Sequence, residues 1–237
     1  MTTEQDRIIG VIAAMQTEAD ELREQMTDIT TETIAGTEFV RGLWEGKPIV
    51  VAVSGIGKVF SAICAQTMIL RYAPALIINV GVSGALSPTL SIGDVVVANE
   101  VVQHDMDTTA IGDEPGLLSG INRIYLPCSA QYVRLLEQAA DSLGLRHETG
   151  VIASGDLFVH TEEKKQWLRE QFRAISCEME GGSIGTVCFV NGVDFCVLRA
   201  VSDGGDEDAP QDFTVSLRKA SLAAQRVLYA FLRQLGA

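Results

Sequence analysis

Apolar residues follow two alternating patterns along this chain. Short β-branched runs bounded by polar residues predict buried strands, whereas apolar residues that recur every three or four positions predict helices. The predicted strands span residues 8–14, 75–86, 93–103, 148–154, 173–179 and 194–202. The predicted helices span residues 17–26, 58–72, 129–144, 161–172, 181–192 and 212–236. The second of these strands is expected to run into a glycine-containing loop at "GVSGAL".

Between Thr30 and Ser54 the pattern changes to short pieces rich in Thr, Val and Ile, interrupted at "AGTE" and "WEGKP". These pieces predict antiparallel strands joined by turns. The alternation of strands and helices elsewhere predicts a largely parallel sheet covered on both faces, and the hairpins make that sheet mixed. We therefore expect an α/β fold, a three-layer αβα sandwich around a mixed, twisted central β-sheet, with residues 1–237 in a single domain.

The composition narrows the classes of partner. The 237 residues carry a formal net charge of −13, and such an acidic surface repels phosphate backbones, so we expect no nucleic-acid partner. No apolar run approaches the roughly 20 residues that span a bilayer, and "MTTEQDR" lacks the pattern of a secretory signal. The five cysteines form no C-x-x-C pair, which favours reduced core residues over a zinc site. We expect a cytoplasmic protein without membrane contact or bound metal.

Candidate chemistry lies after the predicted strands, because ligands of such sheets bind beyond the carboxyl ends of the strands. The segments there read "MQTE", "GVSGAL", "SGDLF", "EMEGG" and "SDGGDED", and four of the five carry carboxylates. An acid in such a place is costly to bury unless it is paired, hydrogen-bonded or neutralised. These segments therefore contain the first candidates for a functional site.

Several of these residues permit two interpretations. Glu180 lies close to a predicted helix start, where it either caps the helix or faces a ligand. Arg199 and Asp203 bracket a strand end, either as an ion pair or with Asp203 as an acid of raised pKa that donates a proton. Glu18, taken alone, is an ordinary acid of a first helical turn. The glycines of "SGIGKVF" fit neither a dinucleotide fingerprint nor a phosphate loop, and they predict a turn with or without a ligand above it.

Seven segments together resemble the bacterial 5′-methylthioadenosine/S-adenosylhomocysteine nucleosidases of the nucleoside phosphorylase/hydrolase superfamily. They are "IIGVIAAMQTEADEL", "SGIGKV", "IINVGVSGAL", "GDVVVANEVVQHDMD", "VIASGDLFV", "CEMEGGSIG" and "LRAVSD". The resemblance implies a purine nucleoside phosphorylase-like fold, a homodimer, and hydrolysis of the N-glycosidic bond of both nucleosides, with 5′-deoxyadenosine as a further candidate substrate. It implies no metal or organic cofactor.

The resemblance also implies roles for the acids. Asp203 would protonate N7 of the purine and help hold its exocyclic amine, and Glu18 would orient and deprotonate the attacking water with help from Arg199. Glu180 would bind the ribose 2′- and 3′-hydroxyls next to the Met179 backbone. Carboxylates can supply both the acid and the base that cleavage through an oxocarbenium-like state requires.

The remaining implied positions surround the adenine and the alkylthio group. Phe158 would stack on adenine, the Val159 main chain would hydrogen-bond to its edge, and Ser202 would steady Asp203. The alkylthio end would be lined by Met15, Ile56 and Phe213. The further substrate-binding positions are Ser83 and Gly84.

The chain departs from the family pattern in three places, one of which is "EMEGGS", with two glycines where Ala or Thr is more usual. Val82 stands where the family often has a serine whose hydroxyl touches the water. Residues 104–127 show no clear periodicity and predict a functional loop, a lid or an interface. Within that loop, Ile111 and Ser119 stand where an aromatic residue and a proline can reach the pocket of the neighbouring subunit. No role follows for Glu178 beyond a structural one.

Other classes of function remain candidates. A phosphorolytic purine nucleoside phosphorylase needs an anion site, for which only Arg199 and Lys58 are candidates here. A futalosine-type hydrolase is a second enzyme of the same superfamily. A non-catalytic nucleoside-binding protein is the non-enzyme alternative, which the joint presence of Glu18, Glu180 and Asp203 disfavours.

Overall fold

The mixed sheet predicted from the apolar pattern forms the centre of the molecule, and helices flank it. The computed structural model describes residues 7–235. The strands are β1 (Ile9–Ala13), β2 (Thr27–Ile34), β3 (Thr37–Trp44), β4 (Lys47–Val53), β5 (Leu76–Ala85), β6 (Val95–Gln103), β7 (Tyr125–Pro127), β8 (His147–Ser154), β9 (Ala174–Glu178) and β10 (Asp194–Asp203). The α-helices are α1 (Asp20–Glu24), α2 (Lys58–Tyr72), α3 (Ala130–Ser142), α4 (Glu162–Phe172), α5 (Gly181–Asn191) and α6 (Ala209–Gln234). The predicted α/β fold is confirmed.

Strand pairing makes the sheet both mixed and partly closed. β1 lies between β4 and β5, parallel to both, and β3 and β2 extend that side by antiparallel pairing. On the other side β5 pairs with β10, β10 with β6, β6 with β8, β8 with β9, and β9 returns to β5. The ends of several strands therefore converge around one space.

One boundary within β5 differs from the prediction. The sequence predicts a loop at "GVSGAL", but β5 continues through Ala85 and is buried along its whole length. The predicted loop is therefore wrong as far as Ala85. A methyl group on Gly81 would lie 2.5 Å from Arg199 Nη1 and 2.6 Å from Glu18 Oε1. This glycine therefore permits a close approach of two charged side chains to a strand, rather than a change of chain direction.

The helices mostly follow the predicted pattern. α2 has the predicted bounds, whereas the helix predicted at residues 17–26 is a 3₁₀ turn, Gln16–Glu18, followed by the short α1. α6 begins at Ala209, three residues before its predicted start, with Pro210 in its first turn. Among residues 7–235, no helix is long and apolar enough to cross a membrane.

Residues 104–127 are more ordered than the absence of periodicity suggests. They contain a 3₁₀ turn, Thr109–Ile111, a bridge between Leu118 and Arg123, and β7, which pairs with β6. Ile111 is 82% exposed at the tip of this segment. The segment therefore presents an apolar side chain to its surroundings.

All five cysteines are buried and free of disulfides. They lie in α2, directly before α3, in β9, in α5 and in β10, as Cys64, Cys128, Cys177, Cys188 and Cys196. Burial raises the pKa of each of these thiols. The thiols are therefore held protonated in the interior, as the sequence predicts for core residues.

Candidate active site

A pocket opens at the carboxyl ends of β1, β5, β8, β9 and β10, where the sequence placed the candidate chemistry. It is lined by Ala14, Met15, Glu18, Ile56, Val82, Ser83, Gly84, Leu157, Phe158, Val159, Cys177, Glu178, Met179, Glu180, Ser202, Asp203 and Phe213. The lining includes every site residue expected from the sequence except Arg199. Three lining residues are not expected from the sequence, although all of them lie within segments that carry the family resemblance: Ala14, Leu157 and Cys177.

Glu18 lies at the base of the pocket and is 3% exposed. One of its carboxylate oxygens accepts hydrogen bonds from the amides of Ala14 (3.0 Å) and Met15 (2.8 Å), and the other accepts one from the amide of Val82 (3.0 Å). Burial raises the pKa of this carboxyl, although the Arg199 charge and these amides oppose the shift. A carboxylate with a raised pKa is a better proton acceptor than an exposed glutamate.

Arg199 lies behind the pocket surface and is 1% exposed. Its Nη2 donates to Glu178 and to Asn79, and lies 3.7 Å from Glu180. Burial would lower the pKa of the guanidinium, but the charges of Glu178, Glu180 and Glu18 outweigh burial and raise it. Arg199 is not among the residues that line the pocket. It therefore acts on the pocket through its charge rather than by contact with a ligand.

Glu178 provides the contacts that capping by Glu180 would have supplied. Its Oε2 accepts from the amides of Glu180 (3.0 Å) and Gly181 (2.7 Å), and Ser154 donates to its other oxygen. Burial alone would raise the pKa of Glu178, but the Arg199 charge and these donors lower it. Glu178 is therefore an ionised acid that caps α5 and neutralises Arg199. The spacing of "EME" was its only signal in the sequence.

Glu180 is left free to face the pocket. It occupies the N-cap position of α5 without capping the helix through its side chain, and its Oε1 accepts from the Gly57 amide at 3.0 Å. Burial, and after it the charge of Glu178, raises the pKa of Glu180 to about 7. Of the two interpretations of Glu180, the geometry therefore favours a side chain that faces a ligand.

Asp203 is the last residue of β10 and lines the pocket close to Gly84 of β5. A register shift between Val201 and Asp203 interrupts the pairing with β5, and such bulges redirect side chains. Asp203 accepts from the Ser202 hydroxyl (2.8 Å) and from the Gly205 amide (3.0 Å). Burial raises its pKa, although these two donors oppose the shift. Arg199 is paired with Glu178 rather than with Asp203. The geometry therefore favours an acid of raised pKa at Asp203 over an ion pair with Arg199.

Aromatic and aliphatic side chains complete the wall. The rings of Phe158 and Phe213 meet edge to face with centroids 5.7 Å apart, and both line the pocket beside Met15 and Ile56. An apolar wall with a few convergent polar groups is the usual form of a small-molecule site.

Comparison with known proteins agrees with this geometry. The family model of the phosphorylase superfamily matches residues 8–233. A 5′-methylthioadenosine/S-adenosylhomocysteine nucleosidase of Shewanella halifaxensis is 39% identical over 229 residues, which cover 96% of this chain and 99% of the relative. The chain belongs to the 5′-methylthioadenosine/S-adenosylhomocysteine nucleosidases of the phosphorylase superfamily. The resemblance read from the sequence is thus confirmed.

Solved structures of this nucleosidase family match almost the whole chain. A Helicobacter pylori nucleosidase in complex with a substituted pyrrolidin-3-ol has a TM-score of 0.93 and 35% identity, covering 97% of this chain and 99% of its own. A Neisseria meningitidis nucleosidase with methylthio-immucillin-A has a TM-score of 0.93 and 32% identity, covering 97% and 100%. A Helicobacter pylori structure described as futalosine hydrolase has a TM-score of 0.94 and 35% identity, covering 98% and 100%.

One departure from the nucleosidase family pattern has a structural explanation. Val82 lacks the hydroxyl that the family often has, yet its backbone amide donates to Glu18 at 3.0 Å. The amide holds the carboxylate whatever side chain stands at this position. The substitution therefore leaves the orientation of Glu18 intact.

Proposed function

We propose that this protein hydrolyses the N-glycosidic bond of 5′-methylthioadenosine and S-adenosylhomocysteine, releasing adenine and the 5-thio-substituted ribose. The observation that carries the proposal is the presence of three buried acids, Glu18, Glu180 and Asp203, in the lining of one pocket. Glu18 is held by the amide of Val82, whereas Asp203 lies against Gly84 further along β5. Each of the three acids has a raised pKa, and each is held by different donors. The separate environments allow one acid to donate a proton while another accepts one.

The proposed reaction divides the work between these acids. Asp203 gives its proton to N7 of the purine, so that the bond between the anomeric carbon and N9 breaks with adenine as a neutral leaving group. Glu18 takes a proton from water, whose oxygen attacks the anomeric carbon. Glu180 accepts hydrogen bonds from the ribose hydroxyls and stabilises the positive charge that develops on the sugar. Ser202 orients Asp203, and Phe158 stacks on the base.

Water suits this pocket better than phosphate as the nucleophile. None of the residues that line the described pocket is Lys or Arg. Of the two cations that the sequence suggested, Arg199 is paired with Glu178, and the Lys58 ammonium lies 2.6 Å from Asp105. Both charges are therefore engaged by acids, and Glu18 would repel an incoming phosphate.

Chromatography of the products from 5′-methylthioadenosine tests this choice. We expect adenine and free methylthioribose at the same rate with and without phosphate, and a Glu18→Gln variant should lose this activity. A sugar 1-phosphate formed only when phosphate is present would contradict hydrolysis. Assay of futalosine in parallel addresses the second candidate substrate, which the similarity to the Helicobacter pylori futalosine hydrolase favours.

We also propose a homodimer that forms through an apolar face at the mouth of the pocket. The α2 apolar face consists of Val59, Phe60 and Ile63, all exposed, with Phe60 at 61%. Contiguous exposed apolar patches of this kind mark interaction surfaces. Its position beside Ile56, which lines the pocket, places a partner subunit close to the substrate.

Sedimentation velocity tests this proposal. We expect the wild-type protein to sediment as a dimer and the Phe60→Glu variant as a monomer, because a charge would be buried in the interface. Val215→Glu introduces the same charge at an exposed apolar residue of α6 and should leave the dimer intact. A Phe60→Glu variant that remains dimeric would place the interface elsewhere.

The cytoplasm is the proposed location of the protein. Its five cysteines are unpaired, and unpaired thiols are typical of reducing compartments. No disulfide joins any two of them, although Cys64, Cys128, Cys188 and Cys196 belong to the same core cluster.

A further inference from the structure

We propose that Asp156 is a positioning residue for the ribose end of the pocket. Resting on the proposed function, the inference is that Asp156 holds the Lys58 amide and thereby the backbone of Gly57, so that the Gly57 amide in the preceding peptide points at Glu180. Asp156 itself lies outside the pocket lining, in the connection between β8 and α4.

The N-terminus of α2 has no capping side chain of its own. Gly57 is the N-cap residue of that helix and has no side chain to accept from the first helical amides. Asp156 Oδ1 accepts from the Lys58 amide at 2.7 Å instead. A residue 98 positions away thus performs the task that Ser, Asp or Asn usually performs at an N-cap.

Asp156 is itself held in position by Asp105. Its own amide donates to Asp105 Oδ2 at 2.9 Å, and Asp105 Oδ1 accepts from the Lys58 ammonium at 2.6 Å. Lys58 also donates to Gln103 Oε1 at 3.1 Å. These contacts form a closed ring from the Lys58 amide through two aspartates back to the Lys58 side chain. Asp156 is therefore fixed in place by the segment that follows β6 as well as by its own loop.

Gly57 connects this ring of hydrogen bonds to the pocket. The amide of Gly57 donates to Glu180 Oε1 at 3.0 Å, while its carbonyl accepts from the Ser61 hydroxyl at 2.9 Å. Gly57 has a φ of 100°, a conformation that glycine adopts without strain. A methyl group there would lie 2.9 Å from Asp156 Oδ1. Asp156 thus lies directly against Gly57, whose amide donates to Glu180, the carboxylate proposed to bind the ribose.

Loss of this support changes Glu180 in a defined direction. The Gly57 hydrogen bond lowers the pKa of Glu180, while burial, Glu178 and Glu18 raise it and Arg199 lowers it. Without a fixed Gly57 amide, the pKa of Glu180 rises above its value of about 7. A higher pH is then needed to ionise the carboxylate that accepts the ribose hydroxyls.

Kinetics of Asp156 variants provide the first test. Asp156→Ala should raise KM for 5′-methylthioadenosine roughly three- to tenfold, as expected for one lost hydrogen bond. The change in kcat should be smaller, because ground-state and transition-state binding are lost together. The acid side of the kcat/KM profile should move to higher pH. Asp156→Asn keeps an acceptor oxygen and should restore the wild-type KM.

Hydrogen exchange provides a second test that needs no activity. The peptide containing Gly57 and Lys58 should exchange its amides faster in Asp156→Ala than in the wild-type protein, and at the wild-type rate in Asp156→Asn. Asp141→Ala, which removes an exposed partner of His147 on α3, is the matched control and should change neither exchange nor KM. An inactive wild-type protein with the expected exchange pattern would refute the proposed function alone.

Two results would overturn the positioning role. One is an Asp156→Ala variant with a lower melting temperature but with wild-type KM and pH profile, since Asp156 would then only cap α2. The other is an Asp156→Asn variant as impaired as Asp156→Ala. If the alanine variant does not fold, the asparagine variant decides, because a KM more than threefold above wild type would contradict the role of the acceptor.

Discussion

Asp203→Asn is expected to lower kcat by roughly 10²- to 10⁴-fold, the usual contribution of a positioned general acid. Asparagine has nearly the same shape and can still accept from the Gly205 amide, which donates to Asp203 at 3.0 Å. It has no carboxylic proton to give to N7. Steady-state release of adenine measures the loss, and calorimetric titration with 5′-methylthioadenosine should show that binding persists.

The control for this variant is Asp212→Asn. The charge of Asp212 contributes to the raised pKa of Asp203, but Asp212 does not line the pocket. Its variant therefore reports the effect of charge near Asp203 without removal of the acid, and we expect nearly wild-type kcat. Asp203→Asn with more than a tenth of the wild-type kcat would exclude Asp203 as the proton donor.

Arg199→Met is expected to destabilise the fold by about 3–5 kcal/mol at neutral pH, as when one partner of a buried ion pair is removed. The guanidinium is buried and faces Glu178 and Glu180, and Glu18 lies across Gly81 from it. Methionine fills part of the volume but leaves these acids without a counter-charge. Urea unfolding at fixed protein concentration measures the difference in the free energy of unfolding.

The pH dependence of this loss identifies its cause. Without Arg199 the carboxyls have raised pKa values in the folded state, so the folded variant binds more protons than the unfolded chain. Its stability should therefore increase as pH falls from 8 to about 5.5, relative to wild type. Arg71→Met, which removes an exposed partner of Glu32, should unfold like wild type at every pH. A loss independent of pH would indicate packing rather than charge.

The sequence predicts the fold well because the apolar period is determined locally. α2 and the order of strands and helices follow from spacing that each segment carries by itself. The extent of β5 does not, because Gly81 looks like a turn signal in isolation. Only the approach of Glu18, from the turn after β1, and of Arg199, from the neighbouring strand β10, explains why a strand needs a glycine there.

The candidate site likewise has features that the sequence predicts and features that only the structure shows. Residue types that carry chemistry, such as Asp203 and Glu180, are visible in the sequence because they follow strands. The choice of partner for Arg199 is not visible, since Glu178 and Glu180 are two residues apart and only the folded geometry decides which of them takes the charge. The contact of Val82 with Glu18 is made by a backbone amide, which no residue type encodes.

Because every cysteine is buried, the rate at which a thiol reagent modifies each one measures local opening of the structure around it. A thiol reagent added to the native protein reacts only when a region opens, since the buried thiols are protonated and shielded. Because Cys64 and Cys188 lie in helices and Cys177 and Cys196 in strands, the order of labelling ranks the layers by their opening free energies. Labelling at Cys177, which lines the pocket, would in addition slow when a nucleoside occupies the site.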